Sequence, residues 1–237
     1  MGDADHPGDE PSGADQPRPT GHRSLTGDRA LEQEHELFQR AYAGHEREFL
    51  EDLVAHGQHP LAFFLGCSDS RVIPELLTQA VPGELFVVRN VANLLPPVER
   101  RIVSAGAALE YAVGHLHVRH LIVCGHDLCG GVRAALDGGV DREETPALAE
   151  WLDGLGPVVE RTRSVPEEGG RRWRRTVEEN VLEQLTNALG YAAVARAVAT
   201  GELALHGWVF DMATGSLRVY HGQAEGFVSA ASLLEEG

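Results

Sequence analysis

Residues 119–131 read RHLIVCGHDLCGG: an apolar run over 119–124 that ends in a cysteine, then a glycine, an imidazole and a second thiol. Residues 61–71, LAFFLGCSDSR, repeat the form, with the run 61–66 giving way to Cys67 and a short polar segment. Apolar runs of this length bounded by turn residues are the pattern of strands buried on both faces. Working outward, 85–89 (LFVVR), 203–212 (LALHGWVFDM) and 217–220 read as further strands, with Thr214-Gly215 as the turn of a hairpin between the last two. Helical spacing is found over 101–116, 131–136, 145–155 and 177–199. Strands alternating with helices predict an α/β fold: a mostly parallel central β-sheet flanked by helices.

The N-terminal part differs in composition. Residues 1–28 hold four Pro, five Gly, no aromatic and six acids against Arg18 and Arg23. Such a segment cannot bury enough apolar surface to offset its ordering entropy, so an acidic disordered tail is expected there. From 30 to 56, Leu31, Leu37, Phe38, Tyr42, Phe49, Leu50 and Leu53 recur at helical spacing and predict an N-terminal helical arm. The remainder, 29–237, is expected to form a single domain; that length buries a core unaided.

Charge and cysteine usage narrow the function. The formal charge is −16, from 36 acids against 20 bases, all of them Arg. That balance argues against nucleic acid or a membrane surface as partner, since phosphates demand a basic face. The six Arg of 161–175 read as a solvated loop balancing acidic surface. No secretory signal and no membrane-length apolar run is visible, which makes the cytoplasm the expected compartment. Three cysteines there are thiols for metal or catalysis rather than a disulfide framework.

The chemistry concentrates beyond two strand ends, where open parallel sheets place their sites. Cys67, His126 and Cys129 converging there make a Cys₂His set with an open fourth position, the form of a catalytic zinc. A local Cys124/His126/Cys129 cluster is the alternative, but Cys124 completes an apolar run and reads more simply as a core residue. Ser68, Asp69 and Ser70 could cap a helix entering near Pro74. In the functional reading Arg71 clamps Asp69 and keeps it ionised beside the metal, as an acceptor that orients the nucleophile. His115, His117 and His120 are read as solvent-exposed, with proton shuttling as their alternative role.

The segments CSDSR (67–71) and GHDLCGG (125–131) resemble the two signature motifs of the β-class carbonic anhydrases, and the similarity extends through PGELFVVRNVANLLPP (82–97), AALEYAVGHLHV (107–118) and HGWVFD (206–211). The resemblance implies zinc-dependent reversible hydration of carbon dioxide to bicarbonate and a proton by zinc-hydroxide attack, with one Zn²⁺ per chain on Cys67, His126 and Cys129. It implies an Asp69–Arg71 dyad and, in the plant-like subtype, Gln58 directed at the substrate. Phe86, Val91, Tyr111 and Gly130 would line the pocket. It further implies a homodimer or higher oligomer with the site at the interface. Two departures stand out. Asp127 follows the metal histidine where Ser or Thr is common, placing a negative charge near the metal. Phe64 stands where a bicarbonate-regulated subtype has tryptophan, although that subtype's Arg89 is present; there Asp69 would become a fourth zinc ligand at low pH. Other activities of the same architecture are hydrolysis of carbon disulfide or carbonyl sulfide, or a non-catalytic zinc-binding scaffold.

Overall fold

The computed structural model describes residues 32, 35–40, 47–100, 103–138, 140–224 and 226–235. The acidic segment 1–28 and parts of the 30–56 arm lie outside the described residues. The chain divides into a unit up to Glu51 and a unit Asp52–Gly237. Residues 35–40 are helical, as is α1, Arg47–His56.

The second unit is built on six strands: β1 (Ala62–Cys67), β2 (Leu85–Asn90), β3 (His120–His126), β4 (Ala204–Phe210), β5 (Leu217–His221) and β6 (Gly226–Ser229). Their order is β2-β1-β3-β4-β5-β6, with β1 to β4 parallel and β5 and β6 antiparallel. All six residues of β1 are buried, as are all but His120 of β3, which is why neither strand shows polar alternation. The mostly parallel α/β architecture is the one expected.

Helices α2 (Pro74–Thr78), α3 (Val103–Gly114), α4 (Gly130–Asp137), α5 (Pro146–Leu152), α6 (Gly156–Arg161), α7 (Arg171–Leu189), α8 (Ala192–Ala199) and α9 (Ala230–Glu235) complete the unit. The main core joins Phe63, Leu65, Leu121 and Val123 of the sheet to Leu109 of α3, Val177 and Val181 of α7 and Val194 of α8. Helix α7 lies directly on β3: a Cβ at Gly125 would sit 2.8 Å from Val181 Cγ2. Phe64, Ile122 and Cys124 point to the opposite face, with Trp208 and Phe210 packed against them.

Two sequence expectations are corrected. The 161–175 stretch is not all loop, because α7 begins at Arg171. Its arginines still answer acids: Arg161 pairs with Glu179 and Glu183, and Arg175 with Glu178 and Glu179. The helix expected over 177–199 is two helices, interrupted where Tyr191 turns inward and donates its hydroxyl to Pro96 O at 2.8 Å. Strand β6 and helix α9 had no clear signal, being short and lacking alternation.

Of the three histidines at and just before the start of β3, His115 and His117 are exposed and His120 is partly buried. His115 packs its ring on Tyr111, and His120 meets His206 of β4 with Nδ1 and Nε2 3.0 Å apart. Burial, and then the neighbouring His120, hold the His206 pKa below the ordinary imidazole value. The unfolded chain therefore takes up a proton near pH 6.5 that the folded chain refuses, and stability falls as pH drops through that value. Thermal melts at pH 7.5 and 5.5 should show a lower Tm at the acid pH, and His206→Gln should remove part of that difference.

Candidate metal centre

The strand order creates the site. From β1 the chain crosses to β2 on one side and later returns as β3 on the other, so segments leaving β1 and β3 diverge and leave a crevice between them. Cys67 is the last residue of β1 and His126 the last of β3. The chain then turns through Leu128, at a left-handed φ of 59°, and Cys129 stands as the N-cap of α4.

All three side chains are buried, with one ligand atom from each lying within 4.8 Å of the others. The sulfurs of Cys67 and Cys129 are 3.9 Å apart. Two sulfurs bound tetrahedrally at about 2.3 Å from one zinc would be about 3.8 Å apart, so the pair has the required spacing. His126 Nδ1 bonds the Asp127 carbonyl at 2.9 Å, and a carbonyl only accepts, so Nδ1 carries the proton. Nε2 is left as a bare lone pair, buried and without a hydrogen-bond partner. An orphaned imidazole nitrogen facing two thiols is costly unless a cation takes its lone pair, so these residues fit zinc.

The contact between the two sulfurs pulls the Cys67 thiol below its ordinary pKa, and the same contact together with burial pushes Cys129 up. Backbone N–H groups of Gly131 and Val132, at the start of α4, face Cys129 and favour its thiolate. Cys124, by contrast, lies on the other sheet face and burial alone pushes its pKa to about 12. The Cys124 alternative is thereby removed.

Asp69 lies beside this cluster. Arg71 grips it through Nε at 2.9 Å and Nη2 at 2.7 Å, and the Arg71 N–H adds a third bond at 3.0 Å. These bonds hold the Asp69 carboxyl well below the usual carboxylate range. Its Oδ2 stands 4.0 Å from His126 Nε2, near the cluster while committed to Arg71.

Several contacts around the cluster were not legible in the sequence. Arg89 donates to the carbonyls of Cys67 and Asp69 at 2.9 and 2.6 Å and ties down the loop after β1. Trp173 donates to Cys129 O at 3.0 Å. Gly131, rather than Gly130, is where glycine is required for space: a Cβ there would lie 2.8 Å from Val91 Cγ1, whereas at Gly130 it would meet nothing. The Asp127 carboxylate accepts from Arg218 at 3.2 Å, which gives its negative charge a partner. Phe64 is fully buried with an edge-on contact to Trp208.

The residues expected to line a pocket fall into two groups. Val91 and Gly130 adjoin the cluster, next to an open groove of about 520 Å³ lined by Ser68, Val88, Val91, Leu148 and Trp151. Phe86 and Tyr111 do not: Phe86 pairs with Phe63 near the start of β1, while Cys67 pairs with Asn90. Phe86 and Tyr111 pack together, ring centroids 5.8 Å apart. Gln58 is exposed and precedes β1 altogether. At about 3.3 Å per residue the two ends of β1 are about 17 Å apart, so one chain does not bring these three to its own thiols.

The carbonic anhydrase family model matches residues 62–217. The chain belongs to the carbonic anhydrase family. A carbonic anhydrase of Pseudomonas aeruginosa is 40% identical over 197 residues, covering 82% of this chain and 88% of that protein. One of Synechocystis is 37% identical over 201 residues, covering 82% and 72%. Among solved structures, the β-carbonic anhydrase CcaA superposes with a TM-score of 0.80 at 36% identity, covering 84% of this chain and 90% of that one. A tetrameric β-carbonic anhydrase of Sordaria macrospora gives 0.67 at 30% identity, covering 80% and 94%. The chain is a β-class carbonic anhydrase, a zinc enzyme that catalyses the reversible hydration of carbon dioxide.

Two substitutions separate packing from ligation. Gly131→Ala should cost about 1–3 kcal/mol of stability, measured by urea unfolding, because the stiff Val91 must move; Gly130→Ala should leave stability unchanged. Cys124→Ala should keep one zinc per chain by elemental analysis, and Cys67→Ser should lose it.

Proposed function

We propose that Cys67, His126 and Cys129 hold the catalytic zinc, that Asp69 and Arg71 are the catalytic dyad, and that a second copy of the chain completes the substrate pocket. The observation that carries this reading is the orphaned His126 Nε2, set among two thiols and 4.0 Å from a carboxylate already clamped by arginine. Cys67, His126 and Cys129 would hold a zinc ion, which would supply an acidified water able to act as a nucleophile near neutral pH.

The residues around it supply order. Asp69, kept ionised by Arg71, can only accept; it takes the hydrogen bond of the attacking water and leaves a lone pair directed at the carbon of the substrate. Release of Asp69 to become a fourth ligand would break three hydrogen bonds to Arg71, so the open site is the resting one. Val91 and the groove beyond it offer an apolar approach suited to an uncharged substrate. The Gly130 amide, at the first residue of α4, would be available to donate to developing anionic charge.

Gln58, Phe86 and Tyr111 serve the site of a partner subunit, with Gln58 donating to a substrate oxygen in the plant-like manner. Support comes from their placement at the far end of β1 and β2, from the exposure of Tyr111 and Val91 and from the tetrameric Sordaria relative. The proposed compartment is the cytoplasm, where the metal-binding thiols stay reduced. Among the described residues no helix is long and apolar enough to cross a membrane.

Asp69→Asn should retain zinc while lowering kcat by about 10²-fold or more, measured by stopped-flow hydration; undiminished kcat would remove Asp69 from the mechanism. Mixing chains tests the shared site. Cys67→Ser and Gln58→Ala proteins, each impaired alone, should regain activity when unfolded and refolded together, because each hybrid dimer holds one intact pocket. No recovery in a confirmed hybrid would mean that Gln58 does not act across the interface.

A further inference from the structure

The turn that joins two of the three metal ligands is strained, and packing of its own side chain does little to hold it. Leu128, between His126 and Cys129, adopts left-handed backbone at φ 59°, a conformation unfavourable for a residue with a Cβ, yet it is 55% exposed. Strain of this kind persists where the surrounding structure fixes the flanking residues. Both flanks are fixed here, and helix α7 has a part in each.

On one flank, the Cys129 carbonyl accepts from two donors, the Arg133 N–H of its own helix and Trp173 Nε1 of α7, each at 3.0 Å. Both lone pairs of that oxygen are thereby used, which fixes the peptide leaving Cys129. Trp173 belongs to the Arg-rich segment 161–175 and is itself held, with the Arg133 guanidinium 5.4 Å from the centre of its ring. Arg133 in turn bonds Asp137 and Glu167, each at 2.8 Å.

On the other flank, the Asp127 N–H donates to Phe210 O of β4 at 2.9 Å, and the Asp127 carbonyl accepts the His126 Nδ1 proton. The Asp127 carboxylate accepts from Arg218 Nη2 of β5, and Nη1 of the same guanidinium bonds Glu178 of α7. Any movement of Asp127 therefore moves the carbonyl that orients the imidazole. Farther along α7, Asn180, Gln184 and Asn187 follow the i, i+4, i+7 spacing of one helix face and bond the backbone at Ala92 and Leu95, just beyond Val91. One helix thus supports both the ligand turn and the pocket wall.

We propose that Trp173 and Arg218 are positioning residues of the metal centre: from either side of Leu128 they hold the 126–129 turn closed and so set the spacing of His126 Nε2 and Cys129 Sγ. The proposal rests on the zinc reading above and concerns how two ligands are presented, not which residues ligate. Supporting hydrogen bonds around metal ligands set their orientation in metalloproteins generally.

The test uses the full chain with Co²⁺ substituted for zinc, whose d–d bands report the ligand geometry, together with the rate of zinc loss to a chelator. Trp173→Phe keeps a ring beside Arg133 and deletes the N–H; Arg218→Met keeps the stem and deletes the donors to Asp127 and Glu178. Each should alter the bands and speed zinc loss by about tenfold or more. Because both hold one turn, the double variant should fall well short of the product of the two single effects. Thr176→Val removes a buried hydroxyl contact of 2.8 Å with Thr162, between Trp173 and Glu178 on α7, and touches no part of the turn. It should lower Tm and leave bands and zinc loss unchanged. Should one positioning variant fail to fold, the other decides the matter. Bands and zinc loss unchanged in the positioning variants, or changed equally by Thr176→Val, would overturn the positioning role, and fully multiplicative effects would overturn the shared turn. A wild-type chain that took up neither metal would overturn the zinc reading itself.

Discussion

The site depends on the register between β1 and β3. Because Gly66 pairs with Cys124, the two parallel strands end within one residue of each other, and the residues that finish them, Cys67 and His126, arrive at one crevice. A slip of β1 by one residue would turn Cys67 to the opposite face of the sheet, where Phe64 and Cys124 now sit. The register is enforced from above, since Val177 and Val181 of α7 close over Gly125 and leave room for no side chain there. Packing of one helix against one glycine thus fixes where Cys67 and His126 meet.

Electrostatic order follows from that placement. Burial makes the thiols and the bare imidazole nitrogen costly on their own, and one cation satisfies all three. The surrounding charges are settled locally: Asp69 by Arg71, and Asp127 by Arg218, which also bonds Glu178. Backbone N–H groups, rather than charged side chains, are aimed at the sulfurs. The centre therefore keeps a modest net charge despite a chain whose formal charge is −16.

Much of this was legible in the sequence. Buried strands announced themselves as unbroken apolar runs, and thiols with an imidazole just beyond two of them pointed to both the crevice and its metal. Cys124 could be set aside as the last residue of a run, which its burial bears out. What was not legible depends on non-local geometry. Nothing in the spacing of Asn180, Gln184 and Asn187 tells a buried amide line from the polar side of a surface helix, because the difference lies in what the helix covers. Gly131 looked equivalent to Gly130 until Val91 was placed against it. Tyr191 broke an apparently continuous helix because its hydroxyl had a partner 95 residues earlier.

Those long separations bear on how the protein is made. The bonds from α7 and Tyr191 to the wall of the metal pocket span 88 to 95 residues. Contacts so distant in sequence pay their loop-closure entropy before any return, so they form late in folding. A growing chain exposes Cys67 and, later, His126 and Cys129 well before α7 has been synthesised to complete the wall. Cys67, His126 and Cys129 are thus present in the growing chain before the wall beside them is locked, and completion of the pocket is deferred to the last stage of assembly.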